Sequence, residues 1–137
     1  MSLSSPSMDG RAALPGTFCW LDLAADDAAR AQRFYAEAFG WSFRAQAASG
    51  GHFLRCRVGG RDIAASMYRL RQAQRDQGVP SHWTPYLRVS DAAAAAQRVA
   101  ACGGRLVVAP FEVPDVARIA LIEDAVGALV GLWQPAA

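Results

Sequence analysis

The chain has 137 residues, of which 53% are hydrophobic and 19% are charged; this predicts one globular domain or two half-size modules and excludes wholesale disorder. The net charge is +2, and the 14 basic residues are all arginines scattered along the chain, so we expect no nucleic-acid partner. No apolar run approaches the ~20 residues of a membrane helix, and the first residues lack the layout of a secretion signal. We therefore expect a cytoplasmic protein that does not bind membranes.

Residues 1–13 are rich in serine, proline and glycine and are predicted to form a flexible tail, and the polar segment 71–81 is predicted to be a linker. Two other stretches resemble each other. Each reads as a strand, an aspartate that can cap a helix, an alanine-rich helix and a terminal glycine, followed by three strand-like segments. The pattern predicts an α+β fold with two βαβββ modules, at 14–70 and 82–137.

Capping residues and glycines predict where most of the helices and strands begin and end. The first helix is capped by Asp26 or Asp27 and ends at Gly40, and the second is capped by Ser90 or Asp91. The later strands are predicted at 41–45, 52–58, 63–68, 105–108, 117–122 and 129–133, with 110–115 as a loop. One helix per four-stranded sheet leaves the other sheet face uncovered. Two modules could therefore form a curved sheet around a cleft, and two sandwiched modules without a cleft are the alternative.

Three cysteines, Cys19, Cys56 and Cys102, are far apart and include no CxxC pair. This spacing excludes a disulfide scaffold and a zinc knuckle. We expect all three to be small buried side chains.

Several motifs now resemble a known superfamily. Phe34-Tyr35 followed by Phe39-Gly40-Trp41, and Glu123-Asp124 followed by Gly127, match the glyoxalase / bleomycin-resistance / extradiol-dioxygenase superfamily, also called vicinal oxygen chelate. The segments 15–20, 83–86 and 131–135 are similar to those of its small bacterial glyoxalase-like members. The resemblance covers residues 14–135, nearly the whole chain.

The resemblance implies a deep cleft that, in many members, holds a divalent metal on His and Glu side chains and stabilises an enolate or similar oxyanion. Members without metal bind and sequester drugs. In this chain the ligand positions fall on Phe18 or Trp20, on Thr84, on Gly131 and in the region 63–66. None of these supplies His or Glu, so we expect no metal cofactor. A relocated divalent-metal site on His52, His82 and Asp22 is the alternative.

Strand alternation predicts which side chains face the cleft. Eight residues are expected to bind the ligand: Phe18, Trp20, Asp22, Thr84, Tyr86, Arg88, Leu129 and Trp133. Such an aromatic-rich set with few polar groups is typical of sites for small organic ligands. Asp22 and Arg88 occupy equivalent places in the two modules. They are expected either to form an ion pair, or to act separately, with Asp22 as a catalytic general base and Arg88 as an anchor for an anionic group.

These features predict a protein that binds a small organic molecule in an aromatic-lined cleft without the superfamily's metal. One alternative is a lyase, isomerase or dioxygenase-type enzyme of the same fold, which would use relocated metal ligands or Asp22 as acid and base. Another is a degenerate member with a regulatory or protein–protein role. We expect a homodimer, although two modules in one chain also permit a monomer.

Overall fold

The computed structural model describes residues 14–48 and 51–137, so the predicted tail at 1–13 lies outside the described residues. Within these ranges no helix is long and apolar enough to cross a membrane. The described chain contains eight strands and three helices, in the order β1 (Phe18–Ala25), α1 (Ala28–Phe39), β2 (Trp41–Ala48), β3 (Gly51–Val58), β4 (Arg61–Arg69), α2 (Gln72–Asp76), β5 (His82–Arg88), α3 (Ala92–Ala101), β6 (Arg105–Val113), β7 (Ala117–Glu123) and β8 (Leu129–Pro135).

The chain divides into two compact units. The N-terminal unit is Leu21–Pro85, and the C-terminal unit comprises Tyr86–Ala137 together with the described residues up to Trp20. Their strand orders are β2-β3-β4-β1 and β5-β8-β7-β6. β1 pairs with β4, and β5 with β8, in parallel, and the other pairs within each unit are antiparallel. The α+β class and the repeated βαβββ order are confirmed, whereas the boundaries 14–70, 71–81 and 82–137 and the cleft stay predictions.

The helix ends follow from local chemistry. Asp27 caps α1 by accepting a hydrogen bond from the Arg30 backbone N–H at 3.0 Å. Gly40 ends α1 with a φ of 73°, a left-handed conformation that glycine adopts without steric cost. Asp91 caps α3 in the same way, accepting from the Ala94 N–H at 3.0 Å. Each cap is one of the two residues that the sequence offered.

The core of the N-terminal unit lies between α1 and one face of its strands. Leu23 and Met67 are buried there, and Phe43, Leu54 and residues of α1 pack against them. Because successive strand residues point to opposite faces, their chain neighbours lie on the other side. We call that side the helix-free face because α1 does not cover it; it carries Asp22, Arg44, Phe53, Arg55, Arg57, Asp62, Ser66 and Tyr68.

The core of the C-terminal unit is built in the same way. Ala120, Ile122 and Leu132 are buried together with Ala95 of α3. Leu132 therefore points toward the helix, and its neighbours Gly131 and Trp133 point to the opposite face of the sheet. This alternation is the one predicted for the last strand.

Two expectations are wrong in detail, and one short helix was not expected. The predicted loop 110–115 belongs to β6 as far as Val113. Proline is tolerated there because β6 is the last strand of the order and its register against β7 shifts between Val108 and Phe111. The predicted linker contains the short helix α2. Cys102, expected to be buried, is exposed because it lies at the C-terminal cap of α3.

Candidate functional site

A polar row crosses all four strands of the N-terminal unit on its helix-free face. Arg44 lies opposite Arg55, Arg55 lies opposite Ser66, and Ser66 lies opposite Asp22. Neighbouring strands are about 4.8 Å apart, so the backbones of these four residues lie side by side. The Arg44 and Arg55 guanidinium groups extend toward Asp62 and the Ile63 carbonyl of β4, and the Ser66 hydroxyl contacts Asp22. Arg55 and Ser66 are only 8% and 5% exposed. Buried polar side chains in one row are a feature that packing alone does not require.

Asp22 is the titratable group at one end of this row. The Ser66 hydroxyl donates a hydrogen bond to Asp22 Oδ1 at 2.8 Å, and the carboxyl is partly buried. Burial raises the pKa of Asp22 to about 7, although the Ser66 hydrogen bond and the charge of His82 oppose the shift. At neutral pH the carboxyl therefore exists in both protonation states, which is the requirement for a group that gives and takes protons.

Tyr68 is the next residue of β4 on the same face, and it lies opposite Ala24. Burial raises the pKa of its phenol, a hydrogen bond from Gln74 lowers it, and the charge of Asp22 raises it again. The phenol therefore stays protonated near neutral pH and offers an O–H donor close enough to Asp22 for the two to interact electrostatically.

A second acidic residue, Asp62, lies on the helix-free face and contacts two arginines. Arg44 Nη2 lies 2.7 Å from Asp62 Oδ2, and Arg57 Nε lies 3.0 Å from Asp62 Oδ1. The Arg44 hydrogen bond, with the charges of Arg55, Arg44 and Arg57, lowers the pKa of Asp62 although partial burial opposes this. The carboxylate thus stays ionised and orients two guanidinium groups.

The C-terminal unit contains a compact cluster of aromatic rings. Trp20 and Trp133 stack with their ring centroids 4.5 Å apart and their planes at 17°. Tyr86 meets Trp133 edge to face, with centroids 5.9 Å apart. The three side chains are 3–5% exposed, so as they stand they contact one another and not solvent. The ligand-binding role predicted for them stays a prediction.

Gly131 is required by this cluster. A Cβ atom at that position would lie 2.2–2.7 Å from ring carbons of Tyr86, a distance that carbon atoms do not tolerate. The Tyr86 ring therefore fills the volume that a larger side chain on β8 would need.

The residues at the superfamily's ligand positions do not fit a divalent metal. Trp20 is stacked on Trp133, Thr84 is buried and offers one hydroxyl, and the Gly131 position is covered by Tyr86. The Ser66 hydroxyl donates a hydrogen bond to the Asp22 carboxyl. Hard and borderline divalent ions bind carboxylates and imidazoles, and these positions supply neither.

The relocated set does not form a metal centre either. His52 has the same alternation as Leu54 and points to the helix side of β3, opposite to Asp22. The His82 Nδ1 atom lies 2.8 Å from the Pro80 carbonyl oxygen. Among residues 14–48 and 51–137 no group of three His, Cys, Asp or Glu side chains could hold a metal ion. The absence of a metal cofactor stays a prediction.

The remaining predicted site residues are divided between the units. Phe18 is 66% exposed, and Leu129 is partly buried at the start of β8. Arg88 Nη1 donates to the Val89 carbonyl oxygen, while Asp22 is bonded to Ser66. The ion pair predicted for Asp22 and Arg88 stays a prediction.

An apolar depression of about 510 Å³ lies beside α1 in the N-terminal unit. Its lining residues are Leu21, Trp41, Ile63, Ala64, Ala65 and Trp83. Of these described lining side chains, Trp83 brings a polar group, the indole N–H that donates to the Tyr35 hydroxyl at 3.1 Å. The depression lacks the convergent polar groups that orient a ligand, whereas the helix-free face has them.

Sequence reasoning missed Arg44, Arg55, Phe53 and Tyr68 as site candidates and named Ser66 only within the region 63–66. A signal was present: in β3, Phe53 and Arg55 alternate with Leu54 and Cys56, so one polar face follows from the core residues. Which residues stand opposite each other could not be read from that alternation.

The chain was compared with known proteins. Residues 20–131 match the glyoxalase-like domain family. A protein of Mycobacterium tuberculosis named "Putative glyoxylase CFP32" is 33% identical over 121 residues, covering 87% of this chain and 46% of that protein. The anthracycline biosynthesis protein DnrV of Streptomyces peucetius is 31% identical over 130 residues, covering 88% and 47%. The chain thus spans about half the length of these relatives.

Solved structures share the fold. Methylmalonyl-CoA epimerase from Mycobacterium tuberculosis superposes with a TM-score of 0.62 at 24% identity, covering 89% of each chain. A methylmalonyl-CoA epimerase in complex with methylmalonyl-CoA superposes with a TM-score of 0.65 at 17% identity, covering 90% of this chain and 97% of that one. With the matching motifs and the paired βαβββ modules, these findings show that the chain belongs to the glyoxalase-like domain family of the vicinal oxygen chelate superfamily.

Proposed function

We propose that this chain binds a small organic molecule on the helix-free face of its N-terminal unit, and that it does so without the superfamily's divalent metal. The observation that carries the proposal is the row of Arg44, Arg55, Ser66 and Asp22 across four adjacent strands. Phe53 and Tyr68 add apolar ring surface to the same face. A few polar groups beside aromatic rings are the usual composition of a small-molecule site.

Two findings on related proteins support the proposal. A structural neighbour holds methylmalonyl-CoA, an organic ester, although its likeness to this chain shows the fold alone. DnrV is named for anthracycline biosynthesis. The donors at the metal positions of this chain do not fit a metal, so its own polar side chains must orient the ligand.

A thermal-shift screen of small organic molecules tests this proposal. A compound that binds only the native state raises the melting temperature, because it stabilises that state by RT ln(1 + [L]/Kd). We expect compounds that bind to lose affinity in Phe53→Ala, which removes a ring from the helix-free face. Phe39→Ala is the matched control, because it removes an equally large ring that is 63% exposed on α1. Equal affinity in both variants would contradict the proposed location.

The other side chains predicted to bind the ligand remain proposed contacts. They are Phe18, Trp20, Thr84, Tyr86, Arg88, Leu129 and Trp133. Quenching of tryptophan fluorescence by a bound compound, lost in Trp133→Phe, would support a role for the ring cluster. Unchanged affinity in Trp133→Phe would assign that cluster to stability alone.

The second candidate function is proton transfer by Asp22. It is favoured by one observation, the carboxyl with a pKa of about 7 that the Ser66 hydroxyl holds in place. Such a group could remove a proton beside a carbonyl group and return it, which is the chemistry of an isomerase. In this role Asp22 would act as the catalytic base and Ser66 would position it.

Deuterium exchange provides a test that needs no known product. A compound found in the screen that carries an acidic C–H is incubated with the protein in D₂O, and its deuterium content is followed by NMR. We expect exchange that rises with pH through an apparent pKa near 7 and is abolished in Asp22→Asn. Exchange that persists in Asp22→Asn would exclude Asp22 as the base, and bound compounds that do not exchange would favour sequestration.

We also propose a homodimer. β6 is the last strand of its order and exposes Leu106, Val107, Val108 and Phe111 by 36–41% each. Exposed apolar side chains on an edge strand favour pairing with another chain. Light scattering at micromolar concentration should therefore give twice the monomer mass, and Val107→Lys should reduce it. A monomer would contradict this proposal and leave the fold unaffected.

A further inference from the structure

Three arginines and few carboxylates share the helix-free face of the N-terminal unit. Arg44, Arg55 and Arg57 lie on β2 and β3, and alternation places all three on that face. Asp62 is the carboxylate within 3.0 Å of Arg44 and Arg57. The other acidic residue of the face is Asp22, whose carboxyl is partly protonated at neutral pH because its pKa is about 7. The face therefore carries excess positive charge.

The arrangement concentrates this charge. Arg44 and Arg55 are direct cross-strand partners, and like charges placed opposite each other destabilise a sheet. Arg55 is held almost completely out of water, and its Nε atom donates to the Ile63 carbonyl oxygen at 2.8 Å. This bond fixes the direction of the guanidinium group. A bound anion would relieve the repulsion between the two arginines.

Two arginines of the cluster are accessible from solvent. The side chains of Arg44 and Arg57 are 45% and 34% exposed, so a ligand from solvent can reach them. Each guanidinium group carries five N–H donors. Asp62 pairs with Arg44 and Arg57, the Gly60 carbonyl oxygen accepts from Arg57, and the Ile63 carbonyl oxygen accepts from Arg55. The planar guanidinium fork matches the two oxygens of a carboxylate better than any other side chain does.

We infer that the molecule bound on the helix-free face is an organic anion whose carboxylate contacts Arg44, Arg55 and Arg57. The inference rests on the proposed function and names the class of ligand for that same face. The carboxylate would lie over β2 and β3, and the rest of the molecule would extend along the row toward Ser66 and Asp22. In a catalysed reaction Asp22 would then meet a carbon near the carboxylate.

Paired probes test the inference. Phenylacetate and methylmalonate are each compared with their neutral amides, and sodium chloride keeps the ionic strength constant. We expect the carboxylates to raise the melting temperature and the amides to raise it less. Arg44→Gln and Arg57→Gln should weaken carboxylate binding roughly tenfold each, the loss of one charge-assisted pair. Arg33→Gln removes an arginine from the exposed surface of α1 and should keep full affinity.

Inorganic phosphate distinguishes a general oxyanion site from a carboxylate site. Phosphate that stabilises the protein as well as the carboxylates do, with the same loss in Arg44→Gln, would extend the ligand class to phosphorylated molecules. Carboxylates that do not stabilise the protein beyond chloride, or that bind Arg44→Gln and Arg57→Gln at full strength, would overturn the inference. Amides that bind all variants equally would overturn it and leave the proposed small-molecule function intact.

Discussion

The raised pKa of Asp22 can be tested through its effect on protein stability. Its pKa is raised from 3.8 to about 7 in the folded chain, chiefly by burial. The substitution Asp22→Asn keeps the shape of the side chain and removes its charge at every pH. The difference in the free energy of unfolding between this variant and the wild type therefore reports the cost of ionising Asp22.

The sign follows from proton binding. Below the unfolded-state pKa, Asp22 is neutral in both states and has no electrostatic cost. Between about pH 4 and pH 7 the folded state binds more protons than the unfolded state, so stability falls as pH rises. Well above pH 7 Asp22 is ionised in both states, and the free energy of unfolding no longer falls on its account. A shift of about three pKa units at 1.36 kcal/mol per unit sets an upper limit of about 4 kcal/mol.

Urea unfolding followed by tryptophan fluorescence measures this difference at several pH values from about 4 to 8. Relative to the wild type, Asp22→Asn should gain stability steadily over that range. Asp76→Asn, on the exposed end of α2, controls for the loss of a carboxylate elsewhere. A difference between Asp22→Asn and the wild type that does not change with pH would refute the reasoning, because Asp22 would then titrate alike in both states.

Four further results are expected. Gly131→Ala should lower the free energy of unfolding by about 1–3 kcal/mol, because the new Cβ meets the Tyr86 ring, and the double variant Gly131→Ala/Tyr86→Ala should show less than the sum of the two losses. Trp133→Ala should lose about 3–5 kcal/mol by urea unfolding because it removes the ring stacked on Trp20, and a loss below 1 kcal/mol would argue against the cluster. A thiol reagent should modify one cysteine of the native protein and three in denaturant, because Cys102 is exposed while burial raises the pKa of Cys19 to about 11 and of Cys56 to about 12; rapid reaction of two or more native thiols would contradict this. Elemental analysis of protein purified without chelators should find metal well below one atom per chain, and stoichiometric metal lost in His82→Ala or Asp22→Ala would overturn the metal-free account.

The fold was largely predictable because its signals are local. Asp27 and Asp91 are short acceptors placed just before alanine-rich helices, and Gly40 supplies the left-handed conformation that ends α1. The repetition of these signals indicated two βαβββ modules. The extent of β6 was missed because proline is a strand breaker in general, and only its position on an edge strand explains why Pro110 is tolerated.

The candidate site was predictable only in part. Alternation correctly separated Asp22 from Leu23, but the partners of Asp22 depend on register, which is set by contacts distant in sequence. Between Arg55 and Arg57 the register of β3 against β4 shifts, so counting from the Gly59-Gly60 turn would not have placed Arg55 opposite Ser66. The contact between Gly131 and Tyr86 could not be predicted for a similar reason, since only the Tyr86 side-chain conformation shows what lies against that position.

The most direct test of the account is an NMR map of a bound compound from the thermal-shift screen. We predict that backbone signals of Asp22, Arg55 and Ser66 shift on binding, and that the titration midpoint of the Asp22 carboxyl changes with them. The indole signals of Trp41 and Trp83, on the helix side of the same unit, should stay unchanged. Shifts confined to those two indoles, with Asp22 and Arg55 unaffected, would place the ligand in the apolar depression and contradict the site proposed for this chain.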